Sequence, residues 1–290
     1  MANELDIAAK ALLREVPEAF AALALGGRAI RSVRPEEKEL PSLARLMDKL
    51  FRVELEGEAD HDEPLCLHLE VQANWESDVP ARVFDYWSLA RRGHRRLASV
   101  VVCLKPGSKQ GAAVGCYETE EAGTALRFTF GVIRVWELKA DELLRGGSPA
   151  LLPLLPFTEG ASEERVDQAL QVLTAVEPVK RRAELQAALA AFAGNVFPDV
   201  RWLARIPREI LMESTTFREI REEAGQESER RVLSLQMEER LGADAERLAS
   251  RLPLCTAPVL DQVARLLASK KPDEELVEAL EQLLPKAEAE

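Results

Sequence analysis

The sequence predicts an α/β fold followed by an all-α extension, and three stretches carry that expectation. Residues 47–72 hold two strand patterns around a polar turn, MDKLFRVELEGE and LCLHLEVQ. Residues 79–93 then place apolar side chains at helical spacing, and 97–104 (LASVVVCL) form a continuous β-branched run of the kind that fills a buried strand. After Ser162 every apolar pattern is helical.

Taken in order, residues 5–25 read as a helix with Leu5, Ala8, Leu12, Leu13 and Phe20 on its apolar face, broken by Pro17 and ended by Gly26-Gly27. Residues 28–39 read as a polar connection. The first strand opens at Asp48 and turns Phe51, Val53 and Leu55 to one face. The second sets Leu67, Leu69 and Val71 on one face and His68, Glu70 and Gln72 on the other, because strand side chains alternate. Residues 73–78 are a loop, and Pro80 suits the first turn of the helix 79–93, whose Val83, Tyr86, Trp87 and Ala90 are spaced for burial on a sheet. Residues 124–138 read as one long strand, with Gly131 where the alternation slips. Glycines 146 and 147, with Pro149, Pro153 and Pro156, punctuate the chain. Helices are expected at 163–174, 178–193 and 198–213, then an exposed, charge-dense one at 213–231 and three short ones beyond it. The expected division is 1–145, 146–212 and 213–290.

A chain of 290 residues is long enough for one core and a smaller second unit. No apolar run approaches the ~20 residues that span a bilayer, so no membrane partner is expected. The opening MANELDIAAK has acids and no apolar signal core, which argues against secretion. Cys66, Cys103, Cys116 and Cys255 make no CxxC pair, so they indicate neither a zinc site nor a disulfide framework and fit a reducing cytoplasm. The net charge of −12 lends no support to polyanion binding, which needs a basic face. From Glu213 onward 18 acids meet 11 bases, so more than half of that excess lies in the tail.

The chemistry concentrates between the two strands and the helix after them. A carboxylate at Asp48 and another at Glu70, with the Gln72 amide beside it, is an oxygen-rich layout that suits Mg²⁺ (or Mn²⁺). Arg82 and Tyr86 lie one helical turn apart on one face: either a phosphate contact with its support, or a packing Tyr beside a snorkelling Arg. Arg91, Arg92, Arg95 and Arg96 make the densest basic run. They complement a helix C-terminus, and they also suit a DNA backbone beside Arg82. His68 reads as a bystander on the Glu70 face, and residues 60–63 (DHDE) as a solvated turn.

The ordered set Asp48-Lys49-Leu50-Phe51, Glu70-Val71-Gln72 and Arg82-Val83-Phe84-Asp85-Tyr86 resembles the PD-(D/E)XK nuclease superfamily, and within it the Rpn (recombination-promoting nuclease, transposase-like) branch. That branch carries Gln where most of the superfamily carries Lys, and follows with Arg-x-x-x-Tyr on a helix. The likeness spans roughly residues 5–145. Asp6 and Lys10 match the branch's opening D-x-x-x-K, or form a surface ion pair. Many members have a helical Glu before the Asp, and Glu37 and Glu39 are both candidates. Residues 232–290 look like the small helical domain often appended to such proteins.

The resemblance implies a restriction-endonuclease-like core and a Mg²⁺-dependent DNA endonuclease linked to recombination. Asp48 and Glu70 would be metal ligands, Gln72 the third catalytic residue, and Arg82, Tyr86, Arg91, Arg92, Arg95 and Arg96 the DNA contacts. DNA is the expected partner, and a homodimer is left open. The alternatives are a DNA-binding or assembly protein that keeps the fold without turnover, and a protein-interaction scaffold.

Overall fold

The computed structural model describes residues 2–35, 49–57, 63–106, 114–121, 124–269 and 271–285. It divides into two compact units, Met1–Arg218 and Glu219–Glu290.

The first unit is α/β, built on a mixed five-stranded sheet. It opens with helices α1 (Ala2–Glu15) and α2 (Pro17–Ala24), separated at Val16, with Pro17 in the first turn of α2. Strand β1 (Ile30–Pro35) stands at the sheet edge and pairs antiparallel with β2 (Lys49–Leu55), which pairs antiparallel with β3 (Leu65–Asn74). Helix α3 (Val79–Ala90) crosses over to β4 (Leu97–Lys105), parallel to β3. A hairpin of β5 (Cys116–Glu121) and β6 (Thr124–Thr129) forms its own two-stranded sheet, and β7 (Gly131–Arg134) joins the main sheet parallel to β4.

Phe51, Val53, Leu55, Leu67, Leu69 and Val71 face one large core, as their alternation predicts. α1 closes that core together with α4 (Ala140–Gly146), α5 (Glu163–Leu173), α6 (Val179–Val196) and α7 (Arg208–Glu213). The other face of β4 meets α3 and the hairpin through Val79, Val83, Val101 and Phe128.

Four expectations meet a different structure. The single helix expected at 198–213 is a short 3-10 helix, Trp202–Arg205, followed after Pro207 by α7. Residues 30–35, read as a polar connection, form β1. A register shift between Ile30 and Ser32 breaks the alternation, which brings Ile30 and Val33, three apart, against the same core. The expected long strand 124–138 divides at Phe130. Its first half belongs to the hairpin and its second to the main sheet, and a short 3-10 turn takes over at Val135–Glu137. Gly131 stands where the chain enters the main sheet, and a Cβ there would come within 3.0 Å of Val100 Cγ2. The proline-punctuated stretch is a 3-10 helix, Pro149–Phe157, of which the eight residues from Ala150 onward are buried. Pro153 and Pro156, two of the buried eight, have no N–H, so this buried backbone brings fewer donors to satisfy.

The second unit is all-helical. From α8 (Thr215–Leu241), Leu233, Met237 and Leu241 pack with Leu248, Leu260, Val263, Leu276 and Leu280. These come from α9 (Ala245–Ala249), α10 (Ala257–Leu267) and α11 (Asp273–Leu283). Among the described residues no helix is long and apolar enough to cross a membrane.

Candidate functional site

The site lies where α3 covers β3. The antiparallel register sets Leu50 opposite His68 and Arg52 opposite Cys66, while the parallel register sets Ser99 beside His68, Val101 beside Glu70 and Cys103 beside Gln72. Alternation along β3 therefore puts His68, Glu70 and Gln72 on the face that meets α3. His68 and Glu70 are buried, at 0% and 3% exposure.

Three donors converge on one carboxylate oxygen. Gln72 Nε2 donates to Glu70 Oε1 at 2.5 Å, and Arg82 donates to the same oxygen from Nη2 at 2.9 Å and Nε at 3.2 Å. Arg82 Nη1 reaches Asp78 Oδ2 at 2.7 Å, so one guanidinium joins a buried and an exposed carboxylate. Burial alone would lower the Arg82 pKa; hydrogen bonding and Coulombic attraction to Glu70, then attraction to Asp78, outweigh it and hold the guanidinium above its ordinary value. The sequence pairs Gln72 with Glu70 by parity and Arg82 with Tyr86 by helical spacing, and the structure joins the two pairs into one cluster.

Tyr86 is buried, and its ring packs edge-on to His68 with centroids 5.7 Å apart. His68 Nδ1 lies 3.3 Å from Ser99 Oγ, and burial pulls the imidazole down to a pKa of about 4, so it is neutral at physiological pH. Two members of the cluster were missed in the sequence. Asp78 precedes Arg82 by four residues, the ion-pair spacing of a helix, but the read helix starts after it. Ser99 is hidden in an apolar strand and emerges only from the parallel register.

The basic run divides. Arg91, Arg92 and Arg95 are exposed where α3 ends, and Arg91 Nη1 donates to the His94 carbonyl at 2.9 Å. Arg96 is half-buried and donates to the Glu63 carbonyl at 3.0 Å, which ties the end of this segment to the start of β3. Asp6 and Lys10 make the surface pair, at 2.8 Å with both side chains nearly half exposed, a geometry that contributes little.

Asp48, Glu37, Glu39 and the Asp60-His61-Asp62 triplet lie outside the described residues. Among the described residues no group of three or more His, Cys, Asp or Glu side chains gathers to hold a metal. What the described part offers a hard cation is the Glu70 carboxylate, with the Gln72 amide oxygen two residues on. This donor chemistry fits Mg²⁺ or Mn²⁺, and Glu70 already draws a positive charge, that of Arg82. Comparison with family models, with curated proteins and with solved structures found no match.

Proposed function

We propose that the chain is a Mg²⁺- or Mn²⁺-dependent DNA endonuclease of the Rpn type, with a restriction-endonuclease-like core in its first unit. The supporting observation is the convergence of Gln72 and Arg82 on the buried Glu70 carboxylate at the centre of a mixed sheet flanked by helices. In this reading Glu70 and Asp48 hold the cation. A bound divalent cation supplies a more acidic water and shields the phosphate charge. Gln72 turns its amide to orient the attacking water, and Arg82 offers its fork to a phosphate oxygen. Water oxygen would bond to phosphorus as the water gives up a proton to solvent, the bond to the leaving sugar oxygen would break, and that oxygen would take up a proton from solvent.

A second reading, a DNA-binding or assembly protein without turnover, draws on Gln72 itself. A neutral amide stands where a lysine would add positive charge beside the scissile phosphate. Supercoiled plasmid with purified protein separates the two. Nicking or linearisation that needs Mg²⁺ and is lost in Asp48→Ala supports the nuclease. Plasmid binding without strand breaks under Mg²⁺ or Mn²⁺ supports the second reading.

A further inference from the structure

We propose that Arg82 is a displaceable internal counter-cation, so that a DNA phosphate and a divalent cation at Glu70 strengthen each other's binding. This inference rests on Glu70 being a cation ligand. It adds how occupancy of that site is controlled.

The geometry begins with crowding at one atom. Glu70 Oε1 accepts from Gln72 Nε2, Arg82 Nη2 and Arg82 Nε, while Oε2 is shut off from solvent. A carboxylate oxygen offers about two lone-pair sites, so three donors saturate it. A Mg²⁺ or Mn²⁺ ion binds an oxygen at about 2.1 Å, and it cannot take Oε1 while a guanidinium nitrogen sits 2.9 Å from that same atom. Two positive charges at one buried carboxylate also repel strongly, because little water screens them.

Arg82 has a way out. Its side chain is 28% exposed and reaches from Oε1 to the surface, where Nη1 meets Asp78, itself 61% exposed. Its planar fork, two nitrogens of which now hold Glu70, matches the geometry of a phosphate oxygen pair as well as that of a carboxylate. A phosphodiester arriving at this edge competes for the guanidinium, and its departure exposes Oε1 to the cation. The cation in turn keeps Arg82 away from Glu70 and free for phosphate. Binding linkage makes the effect reciprocal: whatever factor DNA adds to cation affinity, the cation adds to DNA affinity. The device would keep the site closed to divalent cations until a substrate is present.

The test measures Mn²⁺ binding to the full chain by the loss of its free electron-paramagnetic-resonance signal. It is run with and without a short DNA duplex, with the duplex alone as a control and gels to check that it stays intact. Wild type should bind Mn²⁺ about tenfold tighter with duplex. Arg82→Gln removes the competitor, so it should bind Mn²⁺ about tenfold tighter than wild type without duplex, and gain less than about twofold from it. Arg82→Lys keeps a charge near Glu70 without the fork and should fall between; it carries the comparison if circular dichroism shows Arg82→Gln unfolded. Equal wild-type affinity with and without duplex, or no tightening in either variant, overturns the exchange. Glu70→Ala tells the two failures apart. If it abolishes Mn²⁺ binding, the site stands and only the exchange falls. If it binds Mn²⁺ as wild type does, the cation site at Glu70 falls, and the exchange with it.

Discussion

Glu184 offers the sharpest test of how the first unit is held together. Its carboxylate on α6 is 6% exposed and accepts four hydrogen bonds from the start of α8. The Thr215 and Thr216 N–H groups donate at 2.7 and 3.1 Å, and the Ser214 and Thr216 hydroxyls at 2.9 and 2.7 Å. The carboxylate thus serves helix donors that have no partner within the helix, at the end where the dipole favours negative charge. In Glu184→Ala the two hydroxyls can turn elsewhere, but the two N–H groups cannot. At about 1–3 kcal/mol for each stranded donor, the expected loss is roughly 3 kcal/mol. Glu184→Gln keeps one acceptor oxygen but points an amide N–H₂ at other donors, so about 2 kcal/mol is expected.

The dependence on pH follows from the same contacts. Burial alone would raise the Glu184 carboxyl; hydrogen bonds from Thr216, Thr215 and Ser214 outweigh it and hold the group below its usual value of 4.5. Its stabilisation is therefore fully present above about pH 4.5 and is lost as pH falls through the lower, folded-state pKa. Trp75, Trp87, Trp136 and Trp202 are the chain's four tryptophans and all lie within Met1–Arg218, so urea unfolding followed by tryptophan fluorescence reads this unit alone. A Glu184→Ala deficit that shrinks on acidification below pH 4.5 is expected. A deficit under about 1 kcal/mol at pH 7, or one independent of pH, would refute the reasoning.

Three further outcomes follow. Subtilisin should cut within the charge-dense, largely exposed 221–229 stretch before it cuts Ala150–Phe157, whose residues are all buried; first cuts inside Ala150–Phe157 would contradict the fold. Arg251 donates to the carbonyls of Glu281 and Pro285, at 3.2 and 2.6 Å, and to that of Leu284; Arg251→Ala should cost the helical unit about 2 kcal/mol, seen by far-UV circular dichroism with the tryptophan transition unmoved. Neutralising Arg91, Arg92 and Arg95 together should flatten the salt dependence of DNA binding by a slope of about 3, whereas Arg96→Ala should mainly lower stability, and an unchanged slope in the triple variant would place DNA elsewhere.

The parts of the fold legible in the sequence are those where one rule governs a whole element. Alternation in LCLHLEVQ correctly separates Leu67, Leu69 and Val71 from His68, Glu70 and Gln72, because both faces of β3 are covered and each position has one environment. Helical spacing likewise places Val83, Tyr86 and Ala90 on the buried side of α3. Elements whose register breaks were not legible. The irregularity in β1 masks its period of two, and the crossing from hairpin to main sheet at Phe130 leaves no local trace beyond Gly131. Proline at 149, 153 and 156 reads as punctuation, although the residues between are apolar enough to be buried. For the site, strand parity and helix spacing each supply one pair, but the contact of Arg82 with Glu70, twelve residues apart, depends on how α3 lies on the sheet. No single-element pattern encodes that.

Anomalous diffraction from crystals soaked in Mn²⁺ tests the cation site at Glu70 most directly. A manganese peak about 2.1 Å from a Glu70 carboxylate oxygen, with the Arg82 guanidinium withdrawn from Oε1, is the expected result. Arg82 and Gln72 still bonded to Glu70, with manganese bound elsewhere or not at all at millimolar soak, would contradict it.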